Sequence, residues 1–374
     1  MPDLFFYGTL RHLPLLELVL GRPVPEMRQA RLDGYAVHSA KDQPFPMIVA
    51  QNGAQAQGVF MPGLSAVDVA RLDFYEGGFA FDLIPVTVHT ADGPADAQVY
   101  LPRAGQWQIG PLWSLDDWAA RWGTMTVTAA REVMDRFGTM EADRIIPLLP
   151  FFRARAWARQ MAASGAPQTL RNPMTMDDVS IVAEHPGFDG FFRIKSFDLR
   201  HRRFDGSQSP VMSRETFVAF DAALVLPYDP VLDKVMLIEQ LRYGPIQRGD
   251  PAPWVLEPIA GLVDAGEQPE DTVRREALEE TGLTIGQLLP ISRGYASPGY
   301  STEFFHCFLG LCDLSGWQET GQGGLDSEHE DIRNHTIPFD HAMALIDSGE
   351  VNAVPLAMML LWLATKRDRL RAQA

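Results

Sequence analysis

The stretch Gly261–Leu283, GLVDAGEQPEDTVRREALEETGL, places chemically distinctive residues at fixed offsets. Gly261, Glu267, Arg275, Glu276, Glu279, Glu280 and Gly282 follow the spacing G-x5-E-x7-R-E-x-x-E-E-x-G, and the aliphatic Leu283 closes it. Pro269 suits the first position of a helix, where its fixed φ helps and its missing N–H costs nothing. Glu270 and Asp271 then fall in the first turn, where the helix dipole favours negative charge. Gly282 suits the left-handed residue that ends a helix. A helix over 269–281 follows. Glu276, Glu279 and Glu280 are three and four residues apart, so their carboxylates share one face. Like charges at that spacing repel unless a divalent cation sits among them, and hard oxygen ligands suit Mg²⁺ or Mn²⁺. A solvated acidic face is the alternative reading. The flanking Gly261, Glu267 and Arg275 favour the metal, because a guanidinium can grip a neighbouring carboxylate in two places.

This segment resembles the signature of the Nudix hydrolases without a mismatch. The resemblance implies a metal-dependent hydrolase that cuts the pyrophosphate linkage of a nucleoside diphosphate derivative, on an α/β/α sandwich with a mixed sheet. It runs over roughly residues 180–366 and is similar to the ADP-ribose pyrophosphatase subgroup in detail. Pro298, in ASPGYSTE, lies sixteen positions after Gly282, and LEPIAGLVDAGE matches the subgroup's approach to the motif. By that likeness Glu276, Glu279, Glu280 and the Ala260 carbonyl hold Mg²⁺, with Mn²⁺ as the alternative, and Arg275 orients a glutamate. DSEHEDIR (Asp326–Arg333) resembles the loop that supplies the catalytic base, with Glu328 in that role and Glu330 close behind. Phe191, Arg214, Arg242 and Glu303 correspond to nucleotide-contacting positions. A homodimer through this domain, with its N-terminal strands exchanged, is also implied.

Such a site fits the chemistry. The charged oxygens of a pyrophosphate repel nucleophiles, and metal ions both neutralise that charge and lower the pKa of a bound water. A loop-borne glutamate can then accept the water's proton once substrate is in place. Hydrolysis of another nucleoside diphosphate sugar, such as GDP-mannose, is an alternative. A non-catalytic metabolite-binding or scaffold protein is another, although such a protein would be expected to lose the motif's glutamates.

The composition sets limits on partners and compartment. At 374 residues, 46% hydrophobic and 21% charged, the chain has room for two or three globular domains. A formal net charge of −16 argues against a nucleic-acid partner, since phosphate backbones are bound by surplus Lys and Arg. Two cysteines, Cys307 and Cys312, make neither a disulfide framework nor a zinc site, so a reducing cytoplasm is expected. The start MPDLFFYGTL has no basic n-region, so no signal peptide is expected. The apolar run Ala353–Ala364 is too short to span a membrane.

Strands are expected at Leu4–Tyr7, Ala56–Met61, Leu83–His89 and Ala97–Leu101, with a helix at Asp68–Tyr75. From Leu112 the period becomes helical, and Ser164–Asp177, with Gly165, Pro167 and Pro173, reads as a linker. Strands return after Val179, and helices run from about Phe339 to Arg369. The domains are therefore 1–110, a helical connector and linker over 111–177, and 178–374. Tyr7-Gly8-Thr9-Leu10 with the later Glu76-Gly77 resembles the γ-glutamylcyclotransferase-like (AIG2-like) α+β barrel. In that fold the tight turn offers N–H groups to substrate and the glutamate moves protons, which assigns Tyr7, Gly8, Thr9 and Leu10 to binding and Glu76 to catalysis. Family members carry a tyrosine soon after the EG pair, whereas this chain has Phe79 and Phe81. Fusions of these two folds resemble bacterial tellurite-resistance-type proteins, which implies a detoxification role.

Overall fold

The computed structural model describes residues 3–24, 27–76, 81–103, 105, 107–165, 168–318, 320–325 and 330–374. The chain divides into two units, Met1–Ala163 and Ser164–Ala374.

Six strands build the first unit: β1 (Leu4–Phe6), β2 (Arg28–Ala40), β3 (Pro46–Met61), β4 (Phe81–Thr90), β5 (Gly93–Pro102) and β6 (Ile109–Leu112). Their order is β3-β1-β5-β4-β2, and β2 pairs back onto β3, so five strands close a barrel with β6 added on β2. Closure removes the free sheet edges. β1 runs parallel to β5, and the other pairings are antiparallel. The long β2–β3 ribbon shifts register between Asp33 and Tyr35, where Gly34 takes φ +79°. Phe5, Tyr7, Leu32, Ile48, Phe60 and Val99 are among the side chains filling the interior. β2 is not among the strands that the sequence reading delimits. Several of its buried positions are small alanines (Ala30, Ala36, Ala40), so its alternation is faint.

Five helices accompany the barrel: α1 (Leu13–Leu20), α2 (Ala66–Glu76), α3 (Leu115–Trp118), α4 (Thr124–Met134) and α5 (Leu149–Ala162). α4 packs against α1, α2 and α5. The helical region after Leu112 thus folds with the first unit.

In the second unit β7 (Val179–His185), β8 (Arg193–His201) and β9 (Met212–Val218) form a separate antiparallel sheet. The main sheet comprises β10 (Asp221–Asp229), β11 (Lys234–Leu241), β12 (Trp254–Glu257), β13 (Ile259–Leu262), β14 (Leu288–Tyr295), β15 (Phe304–Leu311), β16 (Thr320–Gly323) and β17 (Ile332–Pro338). Its order is β14-β15-β10-β11-β17-β16, with β10 and β15 parallel. β10 and β11 pair only at Tyr228–Asp229 with Lys234–Val235. Beyond that they separate, and β13 lies on β10 while β12 lies on β11. This wedge carries Glu257 and Ala260-Gly261 into the middle of the sheet.

Helices cover both faces, as expected for strands that are apolar throughout. Leu224, Leu226 and Tyr228 of β10 pack with α8 (Phe339–Ser348) and α9 (Val354–Ala364). The alternate residues Ala223 and Val225 face the other side, where α7 (Pro269–Thr281) packs on β10 and β13. The remaining helices, α6 (Tyr243–Arg248) and α10 (Arg367–Ala372), are short. The architecture is the mixed-sheet α/β/α sandwich expected. No helix among the described residues is long and apolar enough to cross a membrane.

Leu309 is fully buried in β15 against α9, so Leu309→Ala should lower the stability of the full chain by about 2–5 kcal/mol. Leu361, 52% exposed on α9, should cost under about 0.5 kcal/mol when changed to Ala. Equilibrium urea denaturation measures both.

Candidate functional site

α7 has the boundaries its sequence dictates. Pro269 opens it, and Gly282 ends it in the left-handed region at φ +75°. The Gly282 N–H donates to the Leu278 carbonyl and the Leu283 N–H reaches back to Ala277, closing the C-terminus with buried Leu283. The buried stripe runs Pro269, Val273, Ala277, Glu280. Glu280 therefore points into the sheet and is 2% exposed, while Glu276 and Glu279 flank it.

Arg275 holds the surrounding carboxylates. Its guanidinium donates to Glu267 Oε1 and Oε2 (both 3.1 Å), Glu276 Oε1 (2.6 Å), Glu279 Oε2 (3.0 Å) and the Leu262 carbonyl (3.2 Å). Burial alone would raise the Glu267 carboxyl, but hydrogen bonds from Arg275 and Thr272 outweigh it and hold the pKa below its usual value. Glu276 and Glu280 are less compensated. Burial pushes Glu276 up to about 7 against the opposing pull of Arg275. Burial, followed by the charges of Glu276 and Glu330, pushes Glu280 up to about 9. Glu280 Oε2 is buried without a hydrogen-bond partner. The site is thus an excess of carboxylate around one guanidinium.

Gly261 makes room for this cluster. A Cβ at Gly261 would lie 1.8 Å from Glu276 Oε1, so only glycine lets the carboxylate rest on β13 beside Ala260. Hard oxygen donors, an unpartnered buried carboxylate oxygen and raised carboxyl pKa values fit a divalent cation. Among the described residues no three carboxylate or imidazole groups converge as they stand, because Arg275 draws Glu276 and Glu279 to itself.

Other expected residues fall at different distances from this centre. The Glu330 charge acts on both Glu276 and Glu280, and the Leu325 N–H fixes Glu330 Oε2 at 3.2 Å. Glu328 lies outside the described residues. Arg242 bonds Glu257 (2.6 Å) and acts electrostatically on Glu303 and Glu280, so the structure joins it to the cluster. Pro298 occupies the turn before Ser301, whose N–H bonds Ser297. Arg214 lies along β9, donating to the Ser213 carbonyl, and Phe191 stacks edge-on against Phe192. Both belong to the β7–β9 layer rather than to the carboxylate cluster. Glu257 and Asp264, each raised by burial, join the site without any periodic signal to mark them. Only the wedge of β12–β13 brings Glu257 close.

The barrel unit holds a second site. Tyr7, Gly8, Thr9 and Leu10 line a cavity with Glu76, Tyr75, Tyr100 and Phe81. Gly8 passes Pro46 so closely that a Cβ would sit 3.1 Å from its ring. Burial pushes the Glu76 carboxyl up to about 7, and its charge acts on the phenols of Tyr7, Tyr75 and Tyr100. Gly77 and Phe79 lie outside the described residues.

Comparison with known proteins agrees with this division. Residues 4–120 match the family described as gamma-glutamyl cyclotransferase, AIG2-like, and residues 219–356 match the NUDIX domain. The ADP-ribose pyrophosphatase of Escherichia coli (strain K12) is 36% identical over 205 residues, covering 55% of this chain and 97% of that protein. The chain belongs to the Nudix hydrolases. The ADP-ribose pyrophosphatase of Haemophilus influenzae is also 36% identical, over 50% of this chain and 87% of its own. A GDP-mannose pyrophosphatase of Escherichia coli (strain SMS-3-5) is 32% identical over 47% and 90%. These likenesses place the Nudix motif on α7 and leave the barrel as an additional module.

Two outcomes follow for this Nudix hydrolase. Gly261→Ala should displace Glu276 and lower kcat on the order of 10²-fold with the fold intact, measured by steady-state kinetics and circular dichroism. Glu76 holds its proton more tightly when folded than when unfolded. That favours folding below the ordinary carboxylate range and is lost as pH rises through about 7. The barrel's thermal midpoint should fall between pH 5 and 8, and Glu76→Gln should flatten that slope in calorimetry.

Proposed function

We propose that the second unit hydrolyses ADP-ribose to AMP and ribose 5-phosphate in a Mg²⁺-dependent reaction. The carrying observation is the buried Glu280 with its unpartnered oxygen beside Glu276, on a domain 36% identical to ADP-ribose pyrophosphatases. Glu276, Glu279, Glu280 and the Ala260 carbonyl would hold the ion. Bound there, it neutralises the diphosphate and activates water. Arg275 keeps Glu267, Glu276 and Glu279 in place by its hydrogen bonds, so little reorganisation is needed during reaction. Glu328 accepts the proton of the attacking water, with Glu330, whose charge acts on Glu276 and Glu280, as the second candidate base. As the water oxygen bonds to one phosphorus, the bridging P–O bond breaks and the two phosphate monoesters leave. Arg242 and Glu303 supply polar contacts to the nucleotide. Phe191, Arg214 and Pro298 take part if the β7–β9 layer closes over it.

That layer also supports a homodimer. Ile181 and Val182 of β7, with Phe188, Phe191 and Phe192 between β7 and β8, are each more than two-fifths exposed, which is unusual for so many large apolar groups in one segment. A second copy covering this face would bury them.

In the first unit, we read the cavity as a γ-glutamyl-amine cyclotransferase site, or as a binding site without turnover. A carboxyl at about 7 can both take and return a proton near neutral pH, and this favours catalysis by Glu76.

ADP-ribose, GDP-mannose, NADH and UDP-glucose should be compared with Mg²⁺ present. A clear preference for ADP-ribose and near-complete loss in Glu280→Gln are expected; equal rates on all four would sink the assignment. Glu328→Gln should lower kcat far more than Glu330→Gln, and the reverse order would transfer the base to Glu330. For the barrel, γ-glutamyl-amine turnover abolished by Glu76→Gln is expected, and its absence from the wild-type protein removes the enzymatic reading.

A further inference from the structure

The barrel cavity is completed by residues beyond the segment that matches the cyclotransferase family. That match ends at residue 120. Thr126, Ala129 and Val133 of α4, with Leu149 and Arg153 of α5, form part of the cavity wall. Four of these five are small or apolar. Arg153 is the exception, and its environment is unusual for an arginine.

Its guanidinium forms no hydrogen bond or ion pair with any described residue, and it lies at the wall of a cavity lined largely by aromatic and other apolar side chains. Two nearby arginines are engaged: Arg155, on α5, donates to Glu132 at 2.7 Å, and Arg136, just after α4, donates to the Glu132 carbonyl. Burial lowers the Arg153 pKa, with only the Tyr75 phenol opposing, so the group sits in low-dielectric surroundings without a counter-charge. Phe5, Phe6, Phe45, Phe81 and Trp118 supply the apolar lining. Glu76, the one carboxylate among the described lining residues, forms no ion pair with Arg153, and burial holds its carboxyl up at about 7. A half-buried cation without a partner among the described residues is costly, and this cost is relieved when an anion enters with matching geometry.

We propose that the cavity binds a small carboxylic acid with an apolar or aromatic body, and that Arg153 of α5 is the residue that receives its carboxylate. A planar guanidinium pairs with a planar carboxylate through two parallel hydrogen bonds. One positive charge balances one negative charge, whereas a phosphate dianion would leave charge uncompensated against aromatic walls. The helices that follow the barrel are thereby part of its binding site, and Arg153 determines specificity. The assignment shares the cavity with the cyclotransferase reading but needs no turnover. Carboxylate binding by a wild-type protein that does not turn over γ-glutamyl amines would remove that reading and leave this one standing.

The test is isothermal titration calorimetry on the full chain with benzoate, 3-phenylpropionate and hippurate, each against its primary amide. Phenyl phosphate serves as the dianion control. At least one acid should bind the wild-type protein roughly tenfold or more tightly than its amide. Arg153→Met should lose roughly tenfold for that acid and leave amide binding unchanged, with Arg153→Lys intermediate. No acid binding to the wild type, equal affinity for acid and amide, or undiminished binding in a folded Arg153→Met would each overturn the proposal. Preference for phenyl phosphate over all three acids would overturn the carboxylate class. Should Arg153→Met fail to fold, the wild-type acid–amide comparison and Arg153→Lys still decide.

Discussion

The clustering of Arg275 with Glu267, Glu276 and Glu279 on one side of α7 is the constraint to which the second unit is built. Hydrogen bonds at 2.6 to 3.1 Å tie three carboxylates to one guanidinium, and the charge of Glu276 in turn acts on the buried Glu280. Such a concentration of like charge opposes folding unless a cation accompanies it. The geometry around it follows from that demand. Gly261 has no side chain because Glu276 needs its space. The strands β10 and β11 separate so that β12–β13 can enter, and the backbone of Ala260 then lies beside Glu280. The sheet is covered by α7 on one face and by α8–α9 on the other, which keeps water from the deepest carboxylate.

This arrangement divides the labour between positioning and chemistry. Glu267 is held ionised by Arg275 and Thr272, which suits a residue that anchors. Glu276 and Glu280 have raised carboxyl pKa values because burial strips their solvation, which Arg275 offsets only in part at Glu276. They are the groups whose charge a metal would stabilise most. Arg242 links the cluster to Glu257 and Glu303, extending the polar surface beyond the carboxylates of α7.

The local part of this design is legible in sequence. Pro269, the acidic first turn and Gly282 define α7, and the three- and four-residue spacings put the glutamates together on it. Cyclotransferase-like and Nudix modules are likewise read from short motifs, and the barrel and sandwich both appear. What escapes the sequence is convergence between distant segments. Glu257 belongs to the site only because β12 fills a wedge between splayed strands. Arg153 reaches the barrel cavity only because α5 folds back against α4, thirty or more residues beyond the last strand. β2 is faint because alanines carry its buried face. No local periodicity encodes those contacts.

The central claim is that the α7 carboxylates are a divalent-metal site. Anomalous diffraction at the manganese edge, from crystals grown with Mn²⁺ and a non-hydrolysable α,β-methylene analogue of ADP-ribose, addresses it directly. Anomalous density is expected between Glu276, Glu280 and the Ala260 carbonyl, against the diphosphate of the analogue. Density elsewhere on the domain, with Glu280 still buried and unligated, would contradict it.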